Sequence, residues 1–159
     1  MTEVDRVLKP IKVSFEGNVD LSELYHLIKN FMSDKKYDIN EKEHNFSGNK
    51  AKIKWESTRE ITEYTQFQIE VTVSGSNLKK INLKKGEAFS GKFEVEIEAK
   101  INKDFNNYYE GKPIIKFFRE LFDHIVGRDD FNRFNDQLKK ESYSLFDEIK
   151  AYFGLQKLQ

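Results

Sequence analysis

The chain contains no cysteine, which excludes disulfides, zinc–thiolate centres, iron–sulfur clusters and thiol nucleophiles. It has no surplus of either charge: Lys+Arg and Asp+Glu both number 27, and the formal net charge is zero. Dedicated nucleic-acid binders carry a basic excess, so this balance disfavours that class and leaves only a local basic patch to consider. No apolar run approaches the length needed to span a bilayer. The opening stretch, MTEVDRVLKP, is charged and lacks an apolar segment, so no signal peptide is expected and the expected compartment is the cytoplasm. The Asn45-Phe46-Ser47 sequon then has no secretory route to serve it. There is no glycine-rich phosphate loop, no serine in a glycine-flanked elbow, no internal repeat and no low-complexity tract. No cofactor and no catalytic residue are implied, and the reading leans away from an enzyme.

What is present is a block that alternates like a sheet with one wet face. Thr65, Phe67, Ile69, Val71 and Val73 share one parity, against Gln66, Gln68, Glu70 and Thr72. Phe93, Val95, Ile97, Ala99 and Ile101 repeat the pattern against Lys92, Glu94, Glu96, Glu98 and Lys100. Successive strand side chains point to opposite faces, so each run is a ribbon with an apolar and a solvated side. The apolar side needs a cover, which the aromatic-rich C-terminal third can supply. The 159 residues suit one domain spanning 1–159, and an aromatic content of 14% argues against disorder.

Further elements follow from local pattern. Ile11, Val13 and Phe15 read as a first strand ended by Gly17-Asn18. Asp20 with Glu23 is a capping-box-like helix start, followed by an apolar stripe of Leu21, Leu24, Tyr25, Leu27, Ile28, Phe31 and Met32. Ser33–Lys36 closes that helix. Tyr37 to Phe46 is a polar strand, and Ser47-Gly48-Asn49-Lys50 turns into the strand carrying Ala51, Ile53 and Trp55. Ser74-Gly75-Ser76-Asn77 is expected to be another turn, leading to a short lysine-rich strand over Leu78–Leu83. Gly86 and Gly91 bracket the next hairpin. Pro113 suits a first helical position, with Ile114 to Val126 at helical spacing. Gly127 interrupts, Asp129 or Asp130 can cap again, and a long helix continues to Phe153.

The expected fold class is therefore α+β. An antiparallel sheet of about five or six strands would carry one N-terminal helix and two C-terminal helices. In element order this resembles a helix-grip (START-like or Bet v 1-like) domain, a family whose members often enclose a hydrophobic ligand. It departs from that family in having one helix after the first strand, where two short ones are usual. The stretches FEGNVDLSELY, IKWESTREITEY, KPIIKFFRELFDHIV and IKAYFGL are similar to a group of small uncharacterised archaeal proteins. That second resemblance implies no functional residues.

Candidate sites are few. The three histidines, His26, His44 and His124, form no spaced ligand pair, so no metal site is expected. Glu94, Glu96 and Glu98 line one strand face, and pairing with Lys52 and Lys54 across strands explains them without a cation. Lys79, Lys80, Lys84 and Lys85 form the dense basic cluster, suited to a partner or to protecting a sheet edge. The aromatics exceed what two helices need to cover a small sheet. The expected function is non-catalytic binding of a hydrophobic ligand, or of a partner's apolar segment, between sheet and C-terminal helices. Trp55, Phe67, Ile69, Phe93, Val95, Phe118, Phe122 and Phe146 would line that site. The alternatives are a protein–protein adaptor working through the charged surface and lysine hairpin, and a cryptic helix-grip enzyme.

Overall fold

The computed structural model describes residues 3–83, 86–103 and 127–157. Its elements are β1 (Glu3–Asp20), α1 (Leu21–Asp34), β2 (Asp38–Ser47), β3 (Lys50–Glu60), β4 (Thr65–Leu83), β5 (Gly86–Lys103) and α2 (Gly127–Lys157). The strands form one five-stranded antiparallel sheet in the order β1-β5-β4-β3-β2. Strands β2 to β5 are a simple meander, and β1 closes the far side by pairing with the last strand. The α+β class is thus established, with five strands and two described helices. The helix expected over Pro113–Val126 lies outside the described residues.

The expected turn at Ser74–Asn77 is not a turn. β4 runs through it, with a register shift between Ser76 and Lys79 opposite β5 and Asn77 at φ 52°. The Gly, Ser and Asn residues there supply a bulge, which bends a strand without reversing it. The Leu78 N–H donates to the Asn49 carbonyl at 2.9 Å, tying the bulge to the β2–β3 loop. Gly91 likewise lies inside β5 rather than at a hairpin end. A Cβ there would sit 2.7 Å from the Ser76 carbonyl oxygen and 2.8 Å from Leu78 Cδ2, so the bulge needs a glycine opposite it. The turn through Gly48 is as expected, with that glycine at φ 60°.

Both sheet edges are blunted. β1 carries Pro10 in the second of two register irregularities, a position where a missing N–H costs no ladder bond. β2 is exposed, charged and irregular between Glu41 and Glu43. Such features discourage pairing with another chain.

One sheet face is dry. Phe67, Ile69, Val71, Val95, Ile97, Ala99 and Ile101 are fully buried, with Trp55, Val73 and Phe93 nearly so. Fully burying one large aliphatic or aromatic side chain contributes about 1.5–3 kcal/mol. α1 lays Leu21, Leu24, Ile28, Phe31 and Met32 on this face. The Asp20 carboxylate caps it by accepting from the Ser22 and Glu23 N–H groups at 3.0 and 3.2 Å. At its other end Lys36 adopts φ 64°, and the Tyr37 and Lys36 N–H groups reach back to the Met32 and Ser33 carbonyls. This is a Schellman closure made with lysine where glycine is commoner.

α2 includes Gly127 to Asp130, so it does not start at an Asp129 or Asp130 cap. It crosses the dry face diagonally. Phe134 meets Phe67 edge-on with ring centres 5.9 Å apart, and Phe153 stacks on Phe15 at 5.0 Å. Leu138, Leu145 and Ile149 fill the interval between them.

This register makes a direct test. Val95→Asp buries an unpaired carboxylate and is expected to cost more than about 4 kcal/mol, whereas Glu96→Ala on the wet face should cost less than about 1 kcal/mol. Urea melts of the two variants measure both values.

Candidate functional site

The residues expected to line an internal site are brought together, but as packed core. Trp55 is 2% exposed, and Phe67, Ile69, Phe93 and Val95 are no more open. Phe146 packs against them partly buried. Phe118 and Phe122 lie outside the described residues. The space beside Trp55, among Tyr25, Ile28, Lys29, Met32, Ile39 and Ser57, is about 10 Å³. That is the lower limit for one water, and far below the roughly 300 Å³ of a drug-sized pocket.

Where α2 meets the sheet, an ion pair replaces apolar contact. Arg59 Nη2 donates to both Glu141 oxygens at 3.0 and 3.2 Å, and its Nη1 donates to the Lys35 carbonyl at 2.6 Å. The Tyr37 hydroxyl donates to Glu141 Oε2 at 2.7 Å. The guanidinium also lies 4.6 Å from the Tyr37 ring centre and 5.4 Å from that of Phe67. One arginine therefore joins the end of α1, strand β3 and α2. Burial, reinforced by the Glu141 carboxylate it donates to, pushes the Tyr37 phenol well above its ordinary range. Tyr152 is raised for the same first reason, then by Glu23, while its hydroxyl donates to the Asp20 carbonyl at 3.1 Å. This is a clamp whose ion pair is mostly withdrawn from solvent.

The two described histidines stand on different elements, α1 and β2. His26 is exposed on α1, His44 Nδ1 sits 3.0 Å from Glu41 on β2, and His124 lies outside the described residues. Among the described residues no group of three or more His, Asp or Glu is placed to hold a metal ion.

The larger concavity is on the other face; on the helix side one of about 490 Å³ lies between α1 and α2, bordered by Asn30, Asp34, Lys35, Ser144 and Glu148. A trough of about 870 Å³ is lined by Ser14, Glu16, Asn45, Ser47, Lys50, Lys52, Ser74, Ser76, Lys92 and Glu94. The ladder explains the grouping. Asn45, Lys52, Ser74, Glu94 and Ser14 are successive cross-strand partners, one from each of β2, β3, β4, β5 and β1. Ser76, Lys92 and Glu16 continue the next row, beside the Ser47–Lys50 pair. Partners across a ladder share a face, so these side chains all point away from the core. Phe15, Ala51, Gly75 and Phe93 also border the trough. Their parity sends their side chains to the dry face, so they offer main chain only.

The polar face is electrically uneven. Glu56, Glu70 and Glu98 oppose one another across three strands, an arrangement that is unfavourable unless compensated. Lys100 Nζ lies 3.2 Å from Glu70 and 3.8 Å from Glu98, Arg6 lies 3.1 Å from Glu98, and Lys42 lies 3.5 Å from Glu56. The pairing expected between β3 lysines and β5 glutamates does not form, because β4 separates those strands. Glu94 is met by Lys12 at 3.7 Å, and Lys52 turns to Glu43 at 3.6 Å. At the trough end the balance tips. Lys50 and Lys92 have no carboxylate within 4.0 Å among the described residues, and Lys79 joins them. Its partner Ser90 is itself paired with Asn18, which places Lys79 one row beyond Lys92 on the same face.

The lysine hairpin is thereby divided. Lys79 lies on the trough's face, one row beyond its lining, whereas Lys80 pairs with Phe89, which pairs with Val19 on the helix side. Lys84 and Lys85 lie outside the described residues. Asn45, Lys50 and the serines carried no signal in the sequence, since only strand order brings them together.

No family model, no curated protein and no solved structure matches this chain. No described helix is long and apolar enough to cross a membrane.

The clamp predicts a pH response. Unfolded tyrosine loses its proton near its ordinary pKa of 10.0, while folded Tyr37 and Tyr152 keep theirs. Above that pH the unfolded state binds fewer protons, so stability falls as pH rises. Urea midpoints between pH 8 and pH 11 should decline, and Tyr37→Phe should flatten the decline. Arg59→Met, which strands a nearly buried carboxylate, should cost about 2–4 kcal/mol.

Proposed function

We propose that this protein is a non-catalytic binding module that engages a protein partner through the polar face of its sheet, at the trough over β1 to β5. The observation that carries this reading is the contrast between the filled space beside Trp55 and the trough. The interior around Trp55 has space of about 10 Å³, whereas the polar face offers a concavity of about 870 Å³ walled by hydroxyl, amide and charged groups. Binding sites are concave and place a few polar groups to fix orientation. The trough has both properties.

The long α2 lying across a curved sheet supports the helix-grip arrangement as part of the same reading. Here the helix seals the dry face, and recognition passes to the opposite one. The competing proposal, an apolar ligand between sheet and helices, draws on Phe118 and Phe122 in addition to the packed residues around Trp55.

A peptide selection separates the two. Peptides recovered from a random library on the immobilised protein should lose binding to Ser74→Arg, which fills the trough floor. They should keep it for Lys139→Ala on the exposed side of α2. Palmitate and an environment-sensitive dye should leave Trp55 emission unchanged. Binders indifferent to Ser74→Arg, or a saturable change in Trp55 emission with palmitate, would return the function to another surface or to the interior.

A further inference from the structure

We infer that the trough takes an extended, acidic segment of a partner protein, lying across the strands with its carboxylates at the lysine-bearing end. The inference rests on the proposed use of the trough and adds the chemistry of the occupant.

Shape sets the first limit. The lining rows cross all five strands, and four inter-strand spacings of about 4.8 Å make a track of about 19 Å. Two rows set about 7 Å apart along the strands give it the width of a single chain. An extended segment of about six residues fits that length at roughly 3.3 Å per residue. A helix, about 10–12 Å across with its side chains, is too wide for it.

Charge sets the second. Lys50 on β3 and Lys92 on β5 flank Ser76 on β4, and Lys79 stands one row further along. None of the three has a carboxylate within 4.0 Å among the described residues, whereas Lys12, Lys42, Lys52, Lys100 and Lys103 each have one. Glu16 is opposite Lys92 in the ladder without reaching it. The net local character is cationic on a chain whose total is balanced, and an anionic occupant completes it.

Surface chemistry sets the third. Ser14, Ser47, Ser74 and Ser76 present hydroxyls that can both donate to and accept from peptide amides, and Asn45 adds an amide. Among the described residues no aromatic ring lies on this face of the trough, since Phe15 and Phe93 turn theirs into the core. Single-stranded nucleic acid relies on such rings as stacking platforms, so a polypeptide suits the surface better than an oligonucleotide. Pairing along a sheet edge is discouraged by Pro10 and by the charged, irregular β2.

Fluorescence anisotropy with a labelled Glu/Ser peptide tests the inference, with a Lys/Ser peptide and oligo(dT) as comparisons. The acidic peptide should bind saturably at low salt and weaken as salt rises. The double variant Lys50→Gln/Lys92→Gln should weaken it by roughly tenfold, while Lys139→Gln/Lys140→Gln on α2 should not. Circular dichroism confirms that both variants fold. Equal binding of the basic peptide or of oligo(dT), or equal loss in the α2 variant, would overturn the inference. So would no binding of the acidic peptide. If library peptides still depend on Ser74 in that case, the trough remains the binding surface and only the acidic occupant is wrong. If they do not, both readings fall.

Discussion

Strict alternation along β3, β4 and β5 is the constraint on which the rest of the structure depends. A slip of β4 by one residue would carry Phe67 and Ile69 into water and Glu70 into the core, and a slip of β5 would do the same with Val95 and Ile97 against Glu96 and Glu98. The dry face is continuous with the packing of α1 and α2, so the register also fixes where both helices lie. The same alternation delivers the polar side chains of the trough to the opposite face.

The helices are held by two kinds of contact. Stacking of Phe153 on Phe15 and of Phe134 on Phe67 supplies apolar area. The Arg59–Glu141–Tyr37 cluster and the Tyr152–Asp20 hydrogen bond add direction, because each is satisfied in one placement of α2 only. A nearly buried ion pair adds little net stability over an apolar pair of the same shape, yet removing one member is costly. The cluster therefore specifies position more than it stabilises. It also makes an interior that opens to admit a ligand expensive, which favours the outer face as the working surface.

Much of the fold was legible in the sequence. The parity of Thr65–Val73 and Phe93–Ile101, the Asp20 cap and the apolar stripe of α1 are local patterns that the structure repeats. Ser74–Asn77 was misleading because glycine, serine and asparagine serve a bulge as well as a turn. Only the opposing Gly91, 16 residues from Gly75, decides between them. The clamp was invisible for a related reason: Arg59 and Glu141 stand 82 residues apart, and neither is unusual where it occurs. The trough was less legible still. Its lysines fall on three strands whose order no local pattern fixes, and the excess of aromatic residues drew attention to the interior instead.

On the proposed reading the sheet's polar face, and not its interior, meets the partner. Amide chemical-shift mapping of the isotopically labelled protein during titration with an acidic Glu/Ser peptide tests it most directly. Shifts should saturate together and cluster at Ser14–Glu16, Asn45–Lys52, Ser74–Lys79 and Ser90–Glu94, with the indole N–H of Trp55 unmoved. Shifts centred on Trp55, Phe67 and the inner side of α2, with the trough silent, would contradict it.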